Sequence, residues 1–200
     1  MKSRIFTVLL LLPLFYVNCQ ALPHHRDKYV QPSRIMDTLA IKEGMIIGEA
    51  GAGRGYLTFH LAGRVGAKGK IYANDISTSS LQELKEEAEE EGITNIETII
   101  GKIDDPLFPK DTLDMVIMIM AFHDFTQPVQ WLNNLKKYIK PDTRLVIIDR
   151  DPERYGRQFD HFMTEKKLIE TVRKGGFDLI KLHKFLERDN IYIFKMKKDH

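Results

Sequence analysis

Beyond residue 40 the chain alternates short apolar runs, each closed by a glycine or a polar residue, with longer stretches whose apolar residues recur every three or four positions. Met45-Ile46-Ile47-Gly48 reads as a first strand, and Tyr56 to Val65 as a helix with Leu57, Leu61 and Val65 on one face. Lys70 to Ala73 forms a second strand. Ser77 then caps a helix, because its hydroxyl can accept from a free backbone N–H of the first turn. Leu81, Leu84 and Ala88 lie on its inner side, the run Glu86 to Glu91 faces water, and Gly92 ends it. Ile96 to Ile100 and Met115 to Met120 are the third and fourth strands. Pro128 opens a helix whose Val129, Leu132, Leu135 and Ile139 keep a helical spacing up to Pro141. Arg144 to Ile148 is a fifth strand, and Thr164 opens a helix that stops at Gly175-Gly176. Asp178 to Phe185 and Asn190 to Met196 read as two strands joined by a short turn around Glu187 to Asp189. Ahead of all this stand a polar lead, Pro23 to Gln31, and a short helix around Pro32 to Leu39.

Strands that alternate with helices predict a parallel sheet covered on both faces. The last two strands have only a tight turn between them and must run antiparallel. The expectation is an α/β domain with a doubly wound, seven-stranded, mostly parallel sheet whose last strand is antiparallel. Open sheets of this kind bind ligands at the carboxyl ends of their strands, where the strand order switches.

Residues 22–200 suffice for one such domain, and the first 21 stand apart from it. Lys2 and Arg4 make a basic start, Ile5 to Val17 is an almost unbroken apolar run, and Cys19-Gln20-Ala21 offers small residues for cleavage after Ala21. These three regions are those of a signal peptide, so an exported protein, periplasmic or secreted, is expected. Tyr16-Val17-Asn18-Cys19 also loosely resembles a lipobox, which would leave a lipid-anchored chain starting at Cys19; membrane contact is expected only in that case. With Cys19 the sole cysteine, no intrachain disulfide can form. A net charge of +2 gives no support to a nucleic-acid role, and no repeat or low-complexity tract is present.

Candidate chemistry begins with Glu49-Ala50-Gly51-Ala52-Gly53-Arg54-Gly55, which follows the first strand and opens a helix. Glycines here let the backbone turn sharply and admit a ligand where a Cβ would stand. A dinucleotide fingerprint needs glycines at 51, 53 and 56, but position 56 is Tyr56, which speaks against a nicotinamide or flavin enzyme. A phosphate-binding loop fails too, since no Gly-Lys-Ser/Thr follows. Asp75 ends the second strand, twenty residues beyond Gly55, where a carboxylate can accept from both ribose hydroxyls of a nucleoside. Glu49 can receive an ammonium group, directly or through water.

The segment from Glu43 to Ser77 resembles the first two motifs of the class I S-adenosylmethionine-dependent methyltransferases. Gly101-Lys102-Ile103-Asp104-Asp105-Pro106-Leu107-Phe108-Pro109 has the length of the family's third motif, and Leu113-Asp114-Met115-Val116 matches the entry to its fourth strand. Lys140-Pro141 stands where relatives commonly carry Pro-Gly-Gly, with Asp142-Thr143 in place of the glycines. The resemblance is nearest to small methyltransferases of unassigned substrate, some predicted to be exported. It implies a Rossmann-like fold and S-adenosylmethionine as cofactor. It implies a cofactor site made of Glu49, Gly51, Ala52, Gly53, Gly55, Tyr56, Asp75, Ile76, Ile103 and Asp104. Many relatives follow the third-motif glycine with an acid that meets the adenine amino group, whereas this chain has Lys102. Asp104 or Asp105 can take that part, or Asp104-Asp105-Pro106 is a plain turn.

Ala121-Phe122-His123-Asp124-Phe125 follows the fourth strand, at the edge where a methyl acceptor would approach. His123 is the candidate catalytic base, because imidazole takes a proton near neutral pH. It equally suits a packing or capping role, and Asp124 can orient it or cap a turn. Asp149-Arg150-Asp151 ends the fifth strand, and the loop to Met163 carries Arg154, Tyr155, Arg157, Phe159, His161 and Phe162, which suits either an anionic or aromatic acceptor or a solvated lid. His123, Asp149, Asp151 and His161 lack close ligand spacing, so no metal is expected. Trp131 and the strand-four methionines read as core. The Asn/Asp-Pro-Pro-Tyr/Phe signature of amino methylation on bases is absent. Small-molecule, lipid and protein acceptors stay open, with a small molecule expected. A binding protein of the same fold without turnover is the alternative; the intact Glu49, glycines and Asp75 favour an enzyme.

Overall fold

A computed structural model of the chain describes residues 25–155 and 161–198. The segment read as a signal peptide, with Cys19, lies outside the described residues, as do Arg157 and Phe159. The elements in chain order are α1 (Asp27–Val30), α2 (Pro32–Thr38), β1 (Ile46–Ala50), α3 (Tyr56–Val65), β2 (Lys70–Asp75), α4 (Thr78–Glu90), β3 (Ile96–Ile100) and β4 (Leu113–Ile119). A 3-10 turn, Phe122–Asp124, leads to α5 (Pro128–Leu135), β5 (Ile139–Arg150), α6 (Pro152–Tyr155), α7 (Glu165–Lys174), β6 (Phe177–His183) and β7 (Asp189–Met196).

The seven strands form one sheet in the order β3-β2-β1-β4-β5-β7-β6. The first five are mutually parallel, and β7 runs antiparallel to both β5 and β6. The expected doubly wound sheet with its reversed last strand is therefore what forms. The order switches between β1 and β4, so a crevice opens at the carboxyl ends of those strands.

Period-two alternation sends each strand's side chains to two cores. Ile47, Met115, Ile117, Val146, Ile148 and Ile191 face one side, where α2 and α3 bring Ile35, Leu39, Leu57 and Leu61. Val116, Met118, Leu145, Ile147, Tyr192 and Phe194 face the other, where α5 and α7 bring Trp131, Leu132, Leu168 and Val172. The cap expected at Ser77 forms, its hydroxyl accepting from Ser80 N–H, and Thr164 caps α7 likewise, accepting from Lys167 N–H.

The structure differs from the sequence reading at α5, β5 and α1, and it forms α6 within the expected loop to Met163. The helix opened by Pro128 stops at Leu135 and does not run to Pro141; Ile139 instead starts β5 and pairs with Leu113. One apolar residue at helical spacing satisfied both patterns, and pairing with β4 decided it. Lys140 to Thr143 then bulge out of the β4–β5 ladder. Thr143 Oγ1 ties the bulge down, accepting from Lys140 N–H at 3.1 Å and donating to the Leu113 carbonyl at 2.8 Å. The polar lead before residue 32 contains α1, which packs on α3: Tyr56 donates its hydroxyl to Asp27 at 2.9 Å and Arg26 lies 4.0 Å over the Tyr56 ring.

Candidate functional site

A cavity of about 370 Å³ opens at the switch point, within the size range of small-molecule sites. Gly51, Asn74, Asp75, Ile76, Lys102 and Ile103 wall one side, and Met120, Ala121, Asp124, Phe125, Thr126 and Trp131 the other. The first set comes from the ends of β1 and β2 and the loop after β3, the second from the segment after β4.

The loop after β1 is shaped by its contacts. Gly51 has φ +73°, and a Cβ there would stand 2.4 Å from the Ala121 Cβ, so only glycine lets the β4 segment close on the loop. Gly53 has φ +55°, and a Cβ there would meet nothing within 4 Å. Its amide donates to Asp75 Oδ2 at 2.8 Å, while Ser77 N–H donates to Asp75 Oδ1 at 2.9 Å. One donor on each oxygen fixes the half-buried carboxylate and leaves each oxygen a further lone pair. Beside it Ile76 and Ile103 are 62% and 52% exposed, apolar side chains that a flat ring would cover. Paired acceptors next to two exposed apolar faces fit the ribose and base of a nucleoside.

Glu49 sits behind this loop, 1% exposed, and accepts from the Thr58 hydroxyl at 2.6 Å. Burial pushes its carboxyl up to about 8; the Thr58 hydrogen bond works against the shift and the negative charge of Asp75 adds to it. A cation arriving at the loop would relieve both carboxylates.

Of the residues singled out from sequence, Gly51, Asp75, Ile76 and Ile103 line the cavity. Ala52 is buried against Ala73 and Leu84, and Gly55 is the buried N-cap of α3. Tyr56 turns to Asp27, and that contact, after burial, raises its hydroxyl pKa. Asp104 offers its carbonyl to Asn134 Nδ2 at 2.7 Å, and the Asp105 carboxylate accepts from Leu107 N–H at 3.1 Å. Lys102 borders the cavity at this end.

Asn74, Met120 and the cavity-facing part of Trp131 were not expected at the site, whereas Phe125 belongs to the segment expected at the acceptor edge. Asn74 is 4% exposed and donates to the Pro106 carbonyl at 2.7 Å. Met120 takes φ +51°, a left-handed conformation that costs a side-chain-bearing residue energy and ends β4 abruptly. Asn74 reaches the cavity from the end of β2, and the placement of the others follows from β4 adjoining β1, which periodicity does not reveal.

His123 lies in the 3-10 turn beside the cavity, its side chain 5% exposed. Parallel pairing of Ile119 with Ile148 brings Asp149 under it. The His123 Nδ1 is 2.9 and 3.0 Å from the two Asp149 oxygens, and Nε2 is 3.4 Å from Asp124 Oδ2. Phe162 and His161 pack on the ring at 4.3 and 5.3 Å between centroids. Among the described residues no group of three or more His, Cys, Asp or Glu side chains converges to hold a metal ion.

A family model described as a methyltransferase domain matches residues 41–191. The nocamycin O-methyltransferase of Saccharothrix syringae is 28% identical over 56% of this chain and 40% of its own length. A ubiquinone/menaquinone biosynthesis C-methyltransferase of Idiomarina loihiensis is 24% identical over 57% of this chain and 46% of its own. The chain thus spans less than half the length of these curated relatives. A solved SAM-dependent methyltransferase from Aquifex aeolicus shares the fold, with a TM-score of 0.80 at 23% identity over 86% of this chain and 93% of that one.

Proposed function

The chain belongs to the methyltransferase-domain family, and on that premise we propose that it is an S-adenosylmethionine-dependent methyltransferase acting on a small-molecule acceptor. The observation that carries the reading is the cavity at the β1–β4 switch point, where Asp75 is held with spare acceptor capacity between Gly51 and the exposed Ile76 and Ile103. Asp75 would hold the ribose hydroxyls, Ile76 and Ile103 the adenine faces, and Glu49 the ammonium group. When bound, the cofactor supplies a methyl group made electrophilic by its sulfonium.

The chain's own contribution is to bind, align and deprotonate. Holding acceptor and methyl in line supplies much of the rate in a displacement of this kind. His123 acts as general base for an acceptor that must lose a proton, its Nε2 edge turned toward Asp124, which borders the cavity. The apolar share of the lining, from Met120, Phe125 and Trp131, suits an aromatic or quinone-like acceptor. The curated relatives' names, a nocamycin O-methyltransferase and a ubiquinone/menaquinone biosynthesis C-methyltransferase, support a small-molecule acceptor.

The test is a thermal-shift screen with S-adenosylmethionine, S-adenosylhomocysteine, NAD and NADP, followed by a methyl-transfer screen over phenols and 1,4-naphthoquinols. Stabilisation by the first two compounds alone and transfer to a member of the panel are expected. Stabilisation by NAD or NADP would defeat the cofactor assignment, and cofactor binding without transfer to any acceptor class would favour a binding protein. The N-terminal reading stands beside this: the basic start and apolar run support export, with cleavage after Ala21.

A further inference from the structure

We propose that Asp149 is a positioning residue that fixes the tautomer of His123, so that Nδ1 carries the ring proton and Nε2 is left free to accept one. This rests on the reading of His123 as the base and adds the group that prepares it. Asp149 is 1% exposed and sits at the carboxyl end of β5. Its Oδ2 accepts the backbone N–H of His123 at 3.2 Å and its Oδ1 that of Arg150 at 2.9 Å. Both oxygens also lie within 3.0 Å of His123 Nδ1. A carboxylate already accepting two amides offers the ring only acceptor capacity, so Nδ1 must donate. The neutral ring then has its lone pair on Nε2.

The same clamp fixes where the ring points. One carboxylate holds both the backbone and the ring of His123, which removes rotation about the side chain, and Phe162 and His161 cover the ring from above. Three titratable groups among the described residues contact the imidazole. Asp149 sits on Nδ1, Asp124 beside Nε2, and His161 edge-on to the ring. Asp124 is 75% exposed and borders the cavity, so it can swing aside for an acceptor and return to the ring afterwards. The acceptor's proton passes to Nε2, giving an imidazolium with a carboxylate on each side, and leaves from there to solvent.

The experiment reads the tautomer directly. Long-range proton–nitrogen NMR on the 15N-histidine-labelled protein, with His123 assigned by its loss in His123→Gln, reports which nitrogen carries the proton. In the wild type, Nδ1–H is expected. Asp149→Asn presents an amide N–H to Nδ1 and should move the proton to Nε2, while S-adenosylhomocysteine affinity by calorimetry stays within about twofold. The kcat on the best acceptor of the phenol and naphthoquinol panel should fall by about 10²-fold or more with KM little changed. A wild-type ring protonated on Nε2 overturns the proposal without any variant, as does an Asp149→Asn ring that keeps Nδ1–H. A tautomer that flips while kcat is unchanged upholds the positioning by Asp149 and instead refutes His123 as the base.

Discussion

If Glu49 receives the cofactor's ammonium group, as proposed, cofactor binding releases a proton. It is buried behind the glycine loop and its carboxyl is pushed up to about 8, chiefly by loss of water. From the ordinary 4.5 to 8, at about 1.36 kcal/mol per pKa unit, ionising this group in the ligand-free protein costs roughly 5 kcal/mol more than in water. Because the folded-state pKa lies above the unfolded one, the folded protein holds the extra proton between these two values. The contribution of Glu49 to stability therefore falls as pH rises from about 4.5 to about 8. At pH 7 about nine-tenths of the ligand-free molecules carry the proton on Glu49. The ammonium of S-adenosylhomocysteine would ionise it, so binding at pH 7 should release about 0.9 proton, and at pH 9 about a tenth of one. Calorimetric titration in buffers of different ionisation enthalpy measures that number as the slope of observed enthalpy against buffer enthalpy. Glu49→Gln should abolish the slope, weaken binding roughly tenfold to a hundredfold by removing a charged acceptor, and raise the thermal midpoint of the ligand-free protein above pH 8. A wild-type slope near zero at pH 7, or an equal slope in Glu49→Gln, would refute the assignment of Glu49 to the ammonium.

Asp75→Ala removes the charged acceptor of two hydroxyls and should weaken S-adenosylhomocysteine by about 1.5–3 kcal/mol, read by calorimetry; unchanged affinity would take the ribose away from Asp75. His123→Ala should cut turnover on a proton-bearing acceptor by about 10²-fold or more and leave cofactor affinity nearly intact, whereas a loss of affinity would make His123 a wall of the cofactor pocket. Mass spectrometry of the N-terminus after cell fractionation should find a chain that begins at Leu22. A lipid-modified Cys19 would make it an anchored lipoprotein, and a cytosolic chain retaining Met1 to Ala21 would contradict export.

The sheet could be read from the chain because each strand is a short apolar run and each helix keeps its own period. Gly51 and Asp75 could be read because they stand at strand ends, where local sequence and function coincide. Ile139 could not, since a single apolar residue four positions after Leu135 fits a helix until a neighbouring strand claims it. The partner of His123 was also hidden: Asp124 is adjacent in sequence, but the shorter contacts go to Asp149, 26 residues away. Only the pairing of β4 with β5 makes those two residues neighbours. Tyr56 shows the same limit: the partner of its hydroxyl is Asp27, 29 residues back, which its place just after the glycine loop does not reveal.

The cavity between the β1 loop and the β4 segment is proposed as the S-adenosylmethionine site. A crystal structure grown with S-adenosylhomocysteine tests it most directly. Density is expected for the ligand in that cavity, with both ribose hydroxyls on the Asp75 carboxylate, the adenine between Ile76 and Ile103, and the amino group turned toward Glu49. Density elsewhere on the protein, or an adenine at the Glu49 end of the loop, would contradict it.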